Sequence, residues 1–185
     1  MKKKTFIIAL CLALVVAFAA GGAIAWLTDT TEEVKNTFTV GNIDIDLAET
    51  TTNYKMVPGN PIAKDPKVTV KAGSEACWLF VKIEESANLD TFITYAVADG
   101  WTQGDGTNVP ANVYYRSVDA ATAAAGTNYD VLAGNTVTVK NTVTKANMDG
   151  LTAETYPTLT FTAYAVQAAG FDNATDAFAA FKAQN

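Results

Sequence analysis

Asp44 and Asp46 stand two residues apart in the stretch Asn42-Ile43-Asp44-Ile45-Asp46-Leu47. On a strand that spacing turns both carboxylates to one face, and carboxylate pairs carry out glycoside hydrolysis when a cleft separates them suitably. The same alternation has a plainer meaning, a solvated polar face opposite Ile43, Ile45 and Leu47, and that is the reading adopted. Two further groups, Asp99 with Asp105 and Asn108, and Asp29 with Glu32 and Glu33, offer the hard oxygens that calcium takes. Neither follows the acidic-loop spacing with its distal glutamate, so no metal ligand is assigned. Cys77 lies in Cys-Trp-Leu-Phe-Val, surroundings that suit a buried thiol acting as a small hydrophobe.

The chain contains no histidine. Zinc hydrolysis draws on imidazole through HExxH or a comparable set, and serine or cysteine triads need an imidazole base. The chain is therefore read as non-enzymatic, with no catalytic residue and no cofactor. Its charge of −6 and single arginine provide no cationic stripe for nucleic acid, which is excluded as a partner.

The elements that must position these residues begin after an apolar leader. Lys2-Lys3-Lys4 precede a run from Phe6 that ends in Ala23-Ile24-Ala25. A basic start, an apolar stretch and an A-x-A site predict a signal peptide over residues 1–25, cut between Ala25 and Trp26 with Ala23 and Ala25 as the small recognition residues. Membrane contact is then expected only through the uncut leader. Loss of residues 1–25 from the 185-residue chain leaves 160; three lysines and no acid leave with them, so −6 becomes −9. A chain of 160 residues can bury roughly 70% of its unfolded surface without disulfides, and Cys77 is then its remaining thiol.

Alternation of period two predicts strands, with Gly41-Asn42 as a bulge or turn in the first of them. Phe38 and Val40 alternate before that pair, and Ile43, Ile45 and Leu47 after it. Further strands are expected at 67–71, 77–84, 92–97, 113–118, 129–132, 135–143 and 158–167. Turn residues such as Pro58-Gly59-Asn60, Ala72-Gly73-Ser74 and Gly104-Asp105-Gly106 separate them. Many short strands punctuated in this way predict an all-β antiparallel sandwich or barrel. Residues 120–125 allow a helical turn or two. The C-terminal stretch predicts a short helix that Asp172 or Asn173 caps, with Phe178 and Phe181 on one face, acting as a lid over one end or edge. The expected organisation is a signal peptide at 1–25, a short segment at 26–36, a β-sandwich at 37–170 and a C-terminal helix at 171–185.

Several stretches carry a resemblance. The Ala-Ile-Ala site followed by Trp26-Leu27-Thr28-Asp29-Thr30, and Asn36-Thr37-Phe38-Thr39-Val40-Gly41-Asn42-Ile43-Asp44-Ile45-Asp46-Leu47, resemble the start of exported proteins with a SipW-type signal peptide, the TasA/camelysin family of Gram-positive bacteria. Val57-Pro58-Gly59 with Lys64-Asp65-Pro66-Lys67-Val68-Thr69-Val70 is similar to that family's Pro-Gly turn and following strand. Trp78-Leu79-Phe80-Val81-Lys82-Ile83 sits where the family's aromatic-led strand is expected, and Thr162-Ala163-Tyr164-Ala165-Val166-Gln167-Ala168 resembles its last core strand. Trp26-Leu27 replaces the usual aromatic pair, and Lys71-Ala72 stands where Asn-Gly is common.

The resemblance implies a jelly-roll-like (Ig-like) β-sandwich, processing by a SipW-type signal peptidase, and a place at the cell surface or in the biofilm matrix. It also implies fibre assembly, alone or with related matrix subunits, in which an N-terminal strand is donated to the next subunit. Phe38, Val40, Ile43, Ile45 and Leu47 are the candidate donor residues, because an inserted strand needs such alternation. The family's metalloendopeptidase activity is not carried over, since the residues for it are missing. The alternatives are a monomeric surface binding module using the Asp99–Asn108 loop and an exposed Trp101, and, from the enzyme class, a camelysin-like metalloendopeptidase.

Overall fold

The computed structural model describes residues 41–52 and 54–184. In chain order its elements are β1 (Ile45–Ala48), β2 (Pro61–Ala63), β3 (Lys67–Val70), β4 (Cys77–Glu85), α1 (Leu89–Phe92), β5 (Ile93–Thr94), β6 (Thr102–Gln103), β7 (Val113–Val118), β8 (Thr127–Asp130), β9 (Thr136–Val139), α2 (Lys145–Asp149), β10 (Leu159–Gln167) and α3 (Ala174–Gln184). The strands form three antiparallel sheets, ordered β1-β3-β8, β10-β4-β7-β6 and β2-β9-β5. The expected all-β class with a short C-terminal helix is what the fold has.

Alternation decides which residues meet. Val68 and Val70 of β3 pack with Cys77, Leu79, Val81 and Ile83 of β4 and with Val118 and Val131, which joins the first two sheets through one core. The small third sheet packs around its own cluster of Ile93, Leu132, Val137 and Val139, with Leu89 and Phe92 from α1. β4 pairs with β10 along nine residues, from Cys77↔Gln167 to Glu85↔Leu159. Its even-numbered residues Trp78 and Phe80 turn away from the sandwich toward Val113, Ala174, Ala177 and Phe178. The C-terminal helix thus lies on the outer face of the four-stranded sheet, and the lid expected at an end or edge is corrected to a third layer. The reason is in β4 itself: Cys-Trp-Leu-Phe-Val is apolar on both faces, and both must be covered.

Other expectations shift locally. Of the strand expected at 92–97, Phe92 instead ends the single turn α1, which is closed by the Ile93 N–H donating to the Leu89 carbonyl. Only Ile93–Thr94 stays in a ladder, and Val97 makes an isolated bridge to Leu132. The strand expected at 129–132 begins and ends earlier, at Thr127–Asp130, because Val131 and Leu132 both dive fully into the core. The strand expected at 135–143 stops at Val139, where Lys140 opens a turn closed by Val143 N–H. Residues 120–125 form no helix; the chain turns at Gly126, whose φ is +73° and where a Cβ would collide with the Val70 carbonyl oxygen. The unexpected α2 starts at a capping box between Thr144 and Asn147.

Candidate functional site at the first strand

β1 is an edge strand with one sheet neighbour. Ile45, Asp46, Leu47 and Ala48 face Val70, Thr69, Val68 and Lys67 of β3. Upstream, the Lys71 N–H donates to the Asp44 carbonyl at 2.8 Å, and the Glu75 N–H donates to the Asn42 carbonyl at 3.0 Å. The Asp44 N–H donates to Ser74 Oγ at 3.1 Å, a hydroxyl that is itself 2% exposed. Of the candidate donor residues, Ile43, Ile45 and Leu47 turn inward onto the main core. Phe38 and Val40 lie outside the described residues, as do the cleavage-site residues Ala23, Ala25 and Trp26 and the acids Asp29, Glu32 and Glu33. Asp44 and Asp46 point to solvent, with Asp44 paired to Lys71 at 3.0 Å.

The inward phase does not stop at Leu47. It continues two residues on to Glu49, whose Oε1 lies 2.7 Å from Lys64 Nζ. Lys64 is 8% exposed. Tyr54 Oη donates to the same Glu49 oxygen at 2.9 Å, and the rings of Tyr54 and Phe161 lie 5.0 and 5.3 Å from the ammonium. Burial first, and then the Glu49 hydrogen bond, raise the Tyr54 phenol above its ordinary range. Next to this pair the Thr50 N–H donates to Asp65 Oδ1 at 3.0 Å. Thr50 also donates its hydroxyl to Asp65 Oδ2, and these bonds hold the Asp65 carboxyl below its usual value. The ion pair lines an open groove of about 1150 Å³ together with Leu47, Met56, Ile62, Met148 and Leu151. At the other end of the strand, a Cβ on Gly41 would lie 2.6 Å from Glu75 Oε2 and 3.0 Å from Gln167 Nε2. Cα atoms of β1 and β10 come within 8 Å of one another.

The remaining candidates are brought into structural roles. Asp105 spends its oxygens on its own loop: Oδ1 accepts from the backbone N–H of Thr107, Asn108 and Val109, and Oδ2 accepts from Asn108 Nδ2. Asp99 is exposed and lies outside that set. Among the described residues no group of three potential metal ligands converges. Trp101, expected to be exposed, is half-buried. Its Nε1 donates to the Asp130 carbonyl at 2.9 Å, and the Arg116 guanidinium lies over both its ring and that of Tyr129, at 5.5 and 4.4 Å. That stack ties β7 and β8, from different sheets, on the side of the sandwich away from β1. The Glu49–Lys64–Tyr54 cluster was not singled out from sequence; the period-two phase running on from Ile43 to Glu49 was the available signal. Compared with protein-family models, curated proteins and solved structures, the chain matches none.

Proposed function

We propose that the chain is an exported structural subunit of the cell surface or biofilm matrix. Its leader is removed by a SipW-type signal peptidase, and its jelly-roll-like sandwich joins its neighbours by handing on the N-terminal strand. One observation supports this most: β1 is a four-residue edge strand, held by one ladder, whose inward side chains complete the main core. A strand so placed can leave and be replaced by the same strand of another copy, because the acceptor offers the same β3 edge and the same apolar floor. Passed on in one direction, the contact does not close on itself and gives an open filament. The close approach of β1 to β10 favours exchange over addition. An extra strand between them needs nearly 10 Å, about two strand spacings, and the two approach within 8 Å.

The reading gives the leader a purpose, since an uncut leader keeps the donated end tethered. It carries no catalytic step, and chelator-sensitive cleavage of casein by the pure protein would overturn that part. Assembly is tested by electron microscopy and sedimentation of leader-free and leader-bearing chains. Filaments are expected from the leader-free chain alone. A leader-free chain that stays monomeric at high concentration, or a leader-bearing chain that polymerises equally well, would refute the proposal.

A further inference from the structure

We infer that Lys64 fixes the register of whichever strand occupies the β1 position, by requiring a carboxylate two residues beyond its last inward apolar side chain. The half of this inference that concerns a neighbouring subunit rests on strand exchange as proposed above.

The backbone alone specifies register poorly here. The β1–β3 ladder has four residue pairs and then meets Pro66, which has no N–H to extend it. A slip of one residue would turn Asp44 and Asp46 into the core and is rejected by the pattern itself. A slip of two is rejected less strongly that way: Ile43, Ile45 and Leu47 alternate identically, so two of the three still fill apolar places, with Gly41 or Glu49 entering the place left at the end of the row. The residue that meets Lys64 changes as well. In the observed register it is Glu49, at 2.7 Å; slipped by two it becomes Leu47 or Thr51, neither of which carries charge. An ammonium that is 8% exposed and stripped of its counter-charge is strongly disfavoured. The aromatic rings of Tyr54 and Phe161 do not replace a carboxylate. The pair at the other end of the strand, Asp44 with Lys71, leaves both side chains about half exposed and discriminates little. Lys64 is thus a positioning residue, set in the acceptor and read by the strand that arrives.

Charge reversal tests this. Glu49→Lys and Lys64→Glu each place like charges together, and each is expected to speed hydrogen exchange of the amides at 43–48 by about tenfold or more. β4 amides report on the rest of the fold. The double variant E49K/K64E restores the pair with its sign reversed and is expected to return protection to near that of the unaltered chain. A single variant that protects 43–48 as well as the unaltered chain, or a double variant no better protected than the singles, overturns the inference. Mixing the two leader-free single variants examines the neighbour. Each strand then finds its opposite charge only in the other variant, so the mixture should form alternating filaments where either alone does not. Rescue by the double variant without assembly of the mixture would uphold Lys64 as the register residue within one chain and refute the handing-on of the strand. Filaments of normal yield from either single variant alone would overturn the register role itself.

Discussion

Asp105 shows how much one carboxylate can organise. Three backbone N–H groups at 2.8–3.1 Å converge on its Oδ1, and they hold the carboxyl down at about 2. The last of the three belongs to Val109, which is 2% exposed and packs in the cluster of Phe80 and Phe178. The loop is thereby fastened to the core through a group that is itself on the surface. Because the folded value lies below the ordinary aspartate value of 3.8, the stabilisation is fully present above about pH 4 and is lost as pH falls toward 2. Thermal melts of Asp105→Ala should give a midpoint below that of the unaltered chain at pH 7, with the difference closing as pH is lowered through that window. A difference independent of pH would assign the effect to something other than the charge. Cys77 sits at the opposite extreme, with no exposure and a thiol that burial pushes up to about 11. In the leader-free chain it should resist aromatic disulfide reagents at pH 8 and react at once in denaturant; rapid labelling of the folded protein would contradict its place in the core. The buried thiol was legible in its apolar run. Glu49 was not, because a single acid after an apolar alternation looks like the end of a strand until the partner that keeps it inside is known.

α3 covers the outer face of β4 and β10. Phe178 is 4% exposed and lies 5.3 Å, ring to ring, from Phe80, while Phe181 stacks on Tyr164 at 4.7 Å and 18°. The helix is short, and it is this apolar face rather than intrinsic propensity that holds it in place. Replacing Phe178 with Ala should cost about 3–5 kcal/mol in urea unfolding, with the outer face of β4 and β10 becoming accessible to hydrophobic dyes. A loss under 1 kcal/mol, roughly what a surface change gives, would mean that the helix does not cover the sheet. The helix could be foreseen from its cap and its paired phenylalanines; its position could not. Alternation is a signal of one face, and so β3, β7 and β10 were legible almost to the residue. β4 reads as a plain apolar run, which does not say that its second face waits for a helix 100 residues away. The single turn α1 and the short strands β2, β5 and β6 have too few residues for any period to show. Their form is set by long-range contacts, as when Ile62 of β2 meets Val137 of β9.

For the whole molecule the controlling quantity is net charge. Without residues 1–25 the chain would carry −9, so copies would repel as they approach, and that repulsion would oppose the proposed head-to-tail assembly before any strand is exchanged. Salt acts on this term far more than on the pair that holds β1. The Debye length falls from about 30 Å at 0.01 M to about 8 Å at 0.15 M, which screens surface charges on separate molecules. Lys64 and Glu49, with side chains 10% and 16% exposed at 2.7 Å, lie far inside either length. Raising ionic strength should therefore speed filament formation by the leader-free chain while leaving hydrogen exchange at 43–48 nearly unchanged. Lowering pH into the carboxylate range acts in the same direction on association, because it removes negative charge from the surface. Pelleting yield against sodium chloride, measured beside exchange at β1, separates the two effects. Yield that stays flat across salt and pH would show that charge does not limit assembly. A rise in yield matched by faster exchange at β1 would mean instead that salt loosens the strand, and that release of β1 rather than encounter is the slow step.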